Sequence, residues 1–173
     1  MEGKIIKIRD YFGFSKNDND NKILYNMTIY PNQSNRAILK SFVETVLNDN
    51  GYGSSVIYNR KSLINALQLN IISVTYTGLC SEASVSPISM IYKLKITGIT
   101  TSEPVYYFGT SKETVYEMIT NIAKKYKLNP NNVFMYNNNV LLPNTGLREN
   151  KFDGSFNEIS FIEKKTDDSK NNV

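Results

Sequence analysis

The chain has 173 residues, of which 40% are hydrophobic and 21% charged, the composition of a globular protein. Because it has no histidine and a single cysteine, Ser-His-Asp triads, Cys-His pairs, histidine-ligated metals and intrachain disulfides are excluded. The net charge of +4 is small for the length and is carried mostly by lysine, so affinity for nucleic acid is only a secondary expectation.

The chain begins with a predicted hairpin followed by a helix. Apolar alternation predicts strands over 4–11 and 23–30, joined by a polar loop. After Pro31 the period changes to that of an amphipathic helix of about four turns, whose start is capped by Ser34 or Asn35. The apolar stripe of this helix comprises Ile38, Leu39, Phe42, Val43, Val46 and Leu47.

The next part of the chain is predicted to add two short strands, over 55–58 and 70–77, with a helical turn over 62–67 between them. The segment 79–89 is rich in serine, alanine and proline and has no hydrophobic period. It is therefore predicted to be a connector.

The same pattern then begins again. Strands are predicted over 90–97 and 104–109, and Thr110 with Glu113 has the spacing of a capping box that opens a helix. The apolar stripe of this second helix comprises Val115, Met118, Ile119, Ile122, Ala123 and Tyr126. The strands predicted after it are 132–136, 140–142 and 158–163.

This repeated order predicts an α+β fold made of two similar β-β-α-β-β units, each a small sheet with one amphipathic helix packed on one face. We assign 1–78 to the first unit, 79–89 to the connector, 90–165 to the second unit and 166–173 to a polar tail. A hairpin, a crossing helix and further strands form the order of a β-grasp unit. Because identity between the halves is weak, a single α+β domain without a repeat stays an alternative.

Nothing in the sequence predicts a metal or a cofactor. The loop 17–21 is rich in Asn and Asp but lacks the glycine and glutamate spacing of a calcium loop. The glycines at 51 and 53 follow a helix, whereas phosphate loops precede one. The carboxylates are scattered along the chain, so we expect a protein that is not an enzyme and that needs no cofactor.

Aromatic residues supply the candidate interaction surface. The chain contains 12 Tyr, 8 Phe and no Trp, and several of them fall on predicted strands of the second unit. Tyrosine is enriched where proteins meet, so an exposed aromatic sheet face is predicted to bind protein subunits; stacking on nucleic-acid bases is the alternative. The residues of this predicted face are Tyr92, Tyr106, Tyr107, Phe108, Phe134 and Tyr136.

The leading functional hypothesis is a non-enzymatic structural or assembly protein, namely a small multi-copy virion component (a ring, connector or capsid-associated protein) of an AT-rich phage or virus. Its codon-biased composition, with 23 Asn by our count and 16 Lys against 4 Arg, suggests such a genome. The polar tail is predicted to act as a clasp through Lys164, Lys165 and Val173. The alternative is a binding module for nucleic acid or a host protein. No signal peptide or membrane helix is predicted, which favours the virion or host cytoplasm.

Overall fold

The computed structural model describes residues 3–14, 23–49, 52–74, 80–101, 103–129, 133–153 and 157–162. Within these ranges the chain forms ten strands and three α-helices. In chain order the elements are β1 (Lys4–Asp10), β2 (Ile23–Ile29), α1 (Asn35–Val43), β3 (Val56–Tyr58), α2 (Arg60–Asn65), β4 (Leu67–Val74), β5 (Cys80–Pro87), β6 (Ile91–Thr97), β7 (Val105–Thr110), α3 (Val115–Tyr126), β8 (Val133–Tyr136), β9 (Asn139–Val140) and β10 (Asn157–Ile162).

The chain is an α+β protein with two sheets. The first sheet has the order β2-β1-β5-β4, and the second has the order β3-β7-β6-β10-β8-β9. In both sheets the last strand of the unit pairs in parallel with the first strand of the hairpin, β5 with β1 and β10 with β6. The predicted pair of β-β-α-β-β units is therefore confirmed by the strand order, which occurs twice.

The segment predicted as a connector is a strand. β5 lies inside the first sheet, between β1 and β4, and pairs with both. Ala83 and Val85 alternate into the core and are fully buried. The prediction of a connector over 79–89 was wrong. It relied on the low strand propensity of small side chains, but hydrogen bonding to a strand on each side decides the conformation here.

The short strand β3 was also assigned to the wrong unit. It pairs in parallel with β7, with Val56 opposite Tyr106, and so extends the second sheet. Lys125 of α3 fixes this strand further by donating from Nζ to the carbonyl oxygen of Val56 at 3.0 Å. In the second unit, β8 lies beside β10, the last strand of that unit. The matching strand of the first unit is β4, which lies beside β5.

The two long helices begin at side-chain caps. Ser34 accepts from the amide of Ala37 at 3.1 Å, as predicted, and α1 continues into a π-helical segment over Glu44–Asp49. At α3, however, Thr114 is the cap, accepting from the amide of Glu117. The predicted cap at Thr110 was wrong, because Thr110 still belongs to β7.

Each unit has its own core, and β7 contributes to both. Tyr107 packs with the α3 side of the second sheet, whereas Phe108 packs with the first unit. The ring of Phe108 stacks on that of Phe14 at 5.7 Å between centroids and meets that of Tyr52 edge-on at 5.4 Å. The opposite face of the second sheet is therefore partly covered by the first unit, through aromatic contacts.

Candidate functional site: a basic groove between two helices

The predicted aromatic surface is mostly core. Tyr92, Tyr107, Phe108 and Phe134 have exposed fractions of 3%, 0%, 0% and 2%. A side chain with almost no exposed surface cannot meet a partner without unfolding, so the prediction of an interface at these four residues was wrong. The two sheets bury these rings between strands and helices, a pairing of elements that the sequence pattern did not reveal.

The other two aromatic residues are half-buried. Tyr106 packs on Tyr52 at 5.1 Å between ring centroids, in the contact between the units. Tyr136 packs on Phe152 at 4.7 Å and donates from its hydroxyl to Oδ1 of Asn157 at 2.9 Å. Both rings are thus engaged within the chain.

The predicted clasp residues Lys164, Lys165 and Val173 lie outside the described residues. A role for the tail therefore stays a prediction.

A buried carboxylate closes the turn after β1. Asp10 is 1% exposed and accepts hydrogen bonds from the amides of Phe12, Gly13 and Phe14 at 3.0, 2.9 and 2.7 Å. Burial raises the pKa of Asp10, an effect that the three amides and the charge of Lys93 oppose. Lys93 is itself 5% exposed, and its Nζ lies 5.6 Å from the ring centroid of Tyr52. Nζ of Lys93 also lies 5.9 Å from the ring centroid of Phe108, so this cation sits at the aromatic contact between the units.

A second buried carboxylate closes the turn after β7. Glu113 is 1% exposed; its Oε1 accepts from the hydroxyl of Tyr107 at 2.6 Å, and its Oε2 accepts from the amide of Thr110 at 2.7 Å. Asn121 donates to the same tyrosine hydroxyl at 3.2 Å. Burial raises the pKa of Glu113. Since its bonds serve the turn and the core, we interpret Glu113 as structural.

Four exposed cationic side chains converge elsewhere, between α1 and α2. These helices run antiparallel, because the start of α1 is joined to the end of α2 and the reverse. Nη1 of Arg36 donates to Oδ1 of Asn65 at 2.6 Å, and Arg60 forms an ion pair with Glu44, just beyond α1. The two bridges tie the helices together at both ends of a groove.

The groove between the bridges has a volume of about 550 Å³ and is basic. Its cationic lining residues are Arg36, Lys40, Arg60 and Lys61, with Ser34, Ala37 and Ile64 between them. Of the described residues that line it, none is acidic. Such a surface of one sign attracts anions and raises their rate of encounter.

A smaller hollow of about 210 Å³ adjoins the groove and shares Lys61 with it. Lys112, in the turn before α3, supplies a second cation. We call the groove and the hollow together the basic surface. The basic surface has five cations. Arg60 is paired with Glu44, and the other four have no carboxylate partner among the described residues.

The sequence carried only part of the signal for this surface. Arg36 and Lys40 are four residues apart on the polar flank of a predicted helix, and Arg60 and Lys61 lie just before the helical turn predicted over 62–67. Charges on the polar side of a helix are ordinarily just solvated. These cations form a site because α1 and α2 lie antiparallel, an arrangement that no local pattern predicts.

The described part of the chain has no group of three side chains suited to hold a metal ion. None of its helices has the length and apolar character needed to cross a membrane.

Comparison with known proteins adds little. No protein-family model and no curated protein matches the chain. Among solved structures, the ubiquitin of Caldiarchaeum subterraneum is similar with 18% identity and a TM-score of 0.36, over 45% of this chain and 96% of that one. The β-grasp-like strand order stated above rests on the pairings of this chain and not on that likeness.

Proposed function

We propose that this chain is a non-enzymatic interaction module that is held in a larger assembly when an acidic segment of a partner protein lies in its basic groove. The observation that carries the proposal is the groove between α1 and α2, with four cationic side chains and no described acidic one in its lining. Ala37, which is half-buried, lies among the cations and offers an apolar contact to an aliphatic side chain of such a segment.

A protein segment fits the groove better than nucleic acid does. Proteins that bind single strands stack bases on aromatic rings, and no described residue lining the groove or the hollow is aromatic. Binding through phosphates alone needs many contacts, about 6–10 in proteins with a steep salt dependence. The basic surface has four cations that are not paired with a described carboxylate, which is too few for that mode.

The narrower expectation, a virion component of an AT-rich phage or virus that assembles in many copies, stays a prediction beside this proposal. It is compatible with the groove, because an acidic segment of a neighbouring subunit or of another component would serve equally as the occupant.

The proposal is tested by the binding of a fluorescent, glutamate-rich peptide that contains leucines, measured by anisotropy at moderate salt. We expect the wild-type chain to bind it, and the double charge reversal Lys40→Glu with Lys61→Glu to weaken binding by at least about tenfold, since each reversal replaces an attraction by a repulsion. The same assay with a mixed-sequence single-stranded DNA and a DNA duplex should show weaker binding.

The matched control is Lys124→Glu with Lys151→Glu, which makes the same change in net charge at two exposed lysines outside the groove lining. If this pair weakens the peptide as much as the groove pair does, only net charge matters and the groove has no special role. Tighter binding of DNA than of peptide would overturn the choice of a protein partner. Far-UV circular dichroism and thermal melting check that all variants are folded.

A further inference from the structure

The hollow beside the groove has the chemistry of an anion subsite. It lies where α2, the connection from β5 to β6 and the turn from β7 to α3 meet, and it is lined by Lys61, Ser62, Asn65, Ser89, Thr110 and Lys112, with Ala66 completing the wall. Apart from Ala66, each of these side chains has a hydrogen-bond donor. Of the described lining residues, none is a carboxylate.

The walls of the hollow are fixed by backbone hydrogen bonds. The amide of Ile88 donates to the carbonyl oxygen of Ala66 at 2.8 Å, which joins the end of α2 to the segment that carries Ser89. The amide of Ser111 donates to the carbonyl oxygen of Met90 at 3.0 Å, which holds the turn that carries Lys112. The backbone that carries these donors is therefore held by contacts of both units.

Donors of this kind suit a phosphate group better than a single carboxylate. A phosphate monoester has three acceptor oxygens and a charge between −1 and −2 near neutral pH, so it can engage two ammonium groups and neighbouring hydroxyls at once. Oδ1 of Asn65 already accepts from Arg36, so the group that Asn65 offers to a ligand is its Nδ2 donor. A volume of about 210 Å³ also exceeds the roughly 30 Å³ that one water molecule occupies, which leaves room for such a group.

We propose that the hollow binds a phosphate monoester carried by a side chain of the acidic segment that occupies the groove. Lys61 lines both spaces, so the hollow and the groove are neighbours at this residue. This inference rests on the proposed function for the way in which the phosphate is presented. Lys112 lines the hollow but not the groove, which allows the two proposals to be tested separately.

The test compares two forms of the glutamate-rich peptide, one with a central serine and one with phosphoserine at that position. We expect phosphorylation to tighten binding to the wild-type chain by about tenfold or more, because it adds charge-assisted hydrogen bonds. Lys112→Gln should remove most of this gain while leaving the affinity for the unphosphorylated peptide within about twofold of wild type. Lys124→Gln, which removes an exposed lysine outside the hollow, should leave the gain intact.

Each other outcome counts against one of the two proposals. If the unphosphorylated peptide binds but phosphorylation adds nothing, or if Lys112→Gln keeps the full gain, the phosphate subsite is wrong and the groove stands. If neither peptide binds, the proposed function is wrong, and titration with inorganic phosphate decides on the hollow. Shifts of the amide resonances of Ser62, Ser89 and Lys112 that Lys112→Gln abolishes would support the subsite, and unchanged spectra would overturn it.

Discussion

Replacing Asp10, whose side chain is buried in the turn after β1, by alanine should destabilise the whole chain. The carboxylate accepts three backbone amides, and the one at 2.7 Å belongs to Phe14, which is fully buried. A buried amide that loses a charged acceptor costs about 1.5–3 kcal/mol, and the two part-buried amides, which water can reach, cost about 0.5 kcal/mol each. Removing the desolvated carboxylate offsets a fraction of this. We therefore expect Asp10→Ala to lower the free energy of unfolding by about 3 kcal/mol.

The assay is urea denaturation followed by far-UV circular dichroism, with near-UV signals reporting the packing of the rings on Phe108. Asp10→Asn, which keeps one acceptor oxygen, should cost about half as much as Asp10→Ala. Glu103→Ala, at an exposed carboxylate, is the control and should stay within about 0.5 kcal/mol of wild type. If Asp10→Ala also stays within that range, the turn does not depend on its carboxylate and the argument from buried amides fails.

The pH dependence of the same comparison has a definite sign. Burial raises the pKa of Asp10 above its ordinary value of 3.8, so the folded state binds the proton more tightly than the unfolded state does. This tighter proton binding stabilises the folded state fully at pH values below the pKa of Asp10 in the unfolded chain. The stabilisation is lost as the pH rises through the pKa of Asp10 in the folded chain. The stability of wild type relative to Asp10→Asn should therefore fall as the pH is raised from acidic to neutral. A gap that widens with pH would contradict the raised pKa.

Two further predictions concern the other buried charges. Glu113→Ala should lower the free energy of unfolding by about 3 kcal/mol in urea denaturation, because it leaves the Tyr107 hydroxyl and the Thr110 amide without their acceptor. The control is Glu117→Ala, at an exposed carboxylate nearby, which should change stability by less than about 1 kcal/mol. Equal effects of the two substitutions would refute the role of the buried network. Lys93→Met should destabilise the chain by about 1–2 kcal/mol at neutral pH. The loss should be smaller in acid, because a protonated Asp10 has no charge for Lys93 to stabilise. An equal loss at both pH values would show that Lys93 acts by packing alone.

Local patterns in the sequence were sufficient for the hairpins and the long helices. The alternation of Ile6 with Ile8, and the stripes that include Phe42 and Ile122, each fix which face is buried, and the structure buries them. These predictions succeeded because the period of a strand or a helix is set within a few residues.

The failures share one physical origin, which is pairing between distant parts of the chain. β5 is a strand because β1 and β4 supply hydrogen bonds on both sides, and not because serines favour strands. β3 joins the second sheet because β7 offers it a free edge. The basic groove exists because α1 and α2 lie antiparallel, so its cations were visible in the sequence but their convergence was not.

The aromatic residues illustrate the same limit for the site. A tyrosine on a strand can face the core, a second unit or a partner, and the three cases have the same local pattern. Tyr107 and Phe108 are adjacent in sequence and are buried in different cores, because β7 lies between the α3 side and the first unit. Composition therefore suggested an interface where the fold uses the rings to hold two units together.

The measurement that tests the central claim most directly is a map of backbone amide shifts by heteronuclear NMR while the glutamate-rich peptide is titrated into the isotope-labelled chain. The account predicts saturable shifts at the residues that line the groove, Ala37, Lys40, Lys61 and Ile64, with few changes at Lys7 and Asn26, which are exposed on β1 and β2. Shifts that cluster on another surface, or no saturable shifts at all, would contradict the assignment of the groove between α1 and α2 as the binding site.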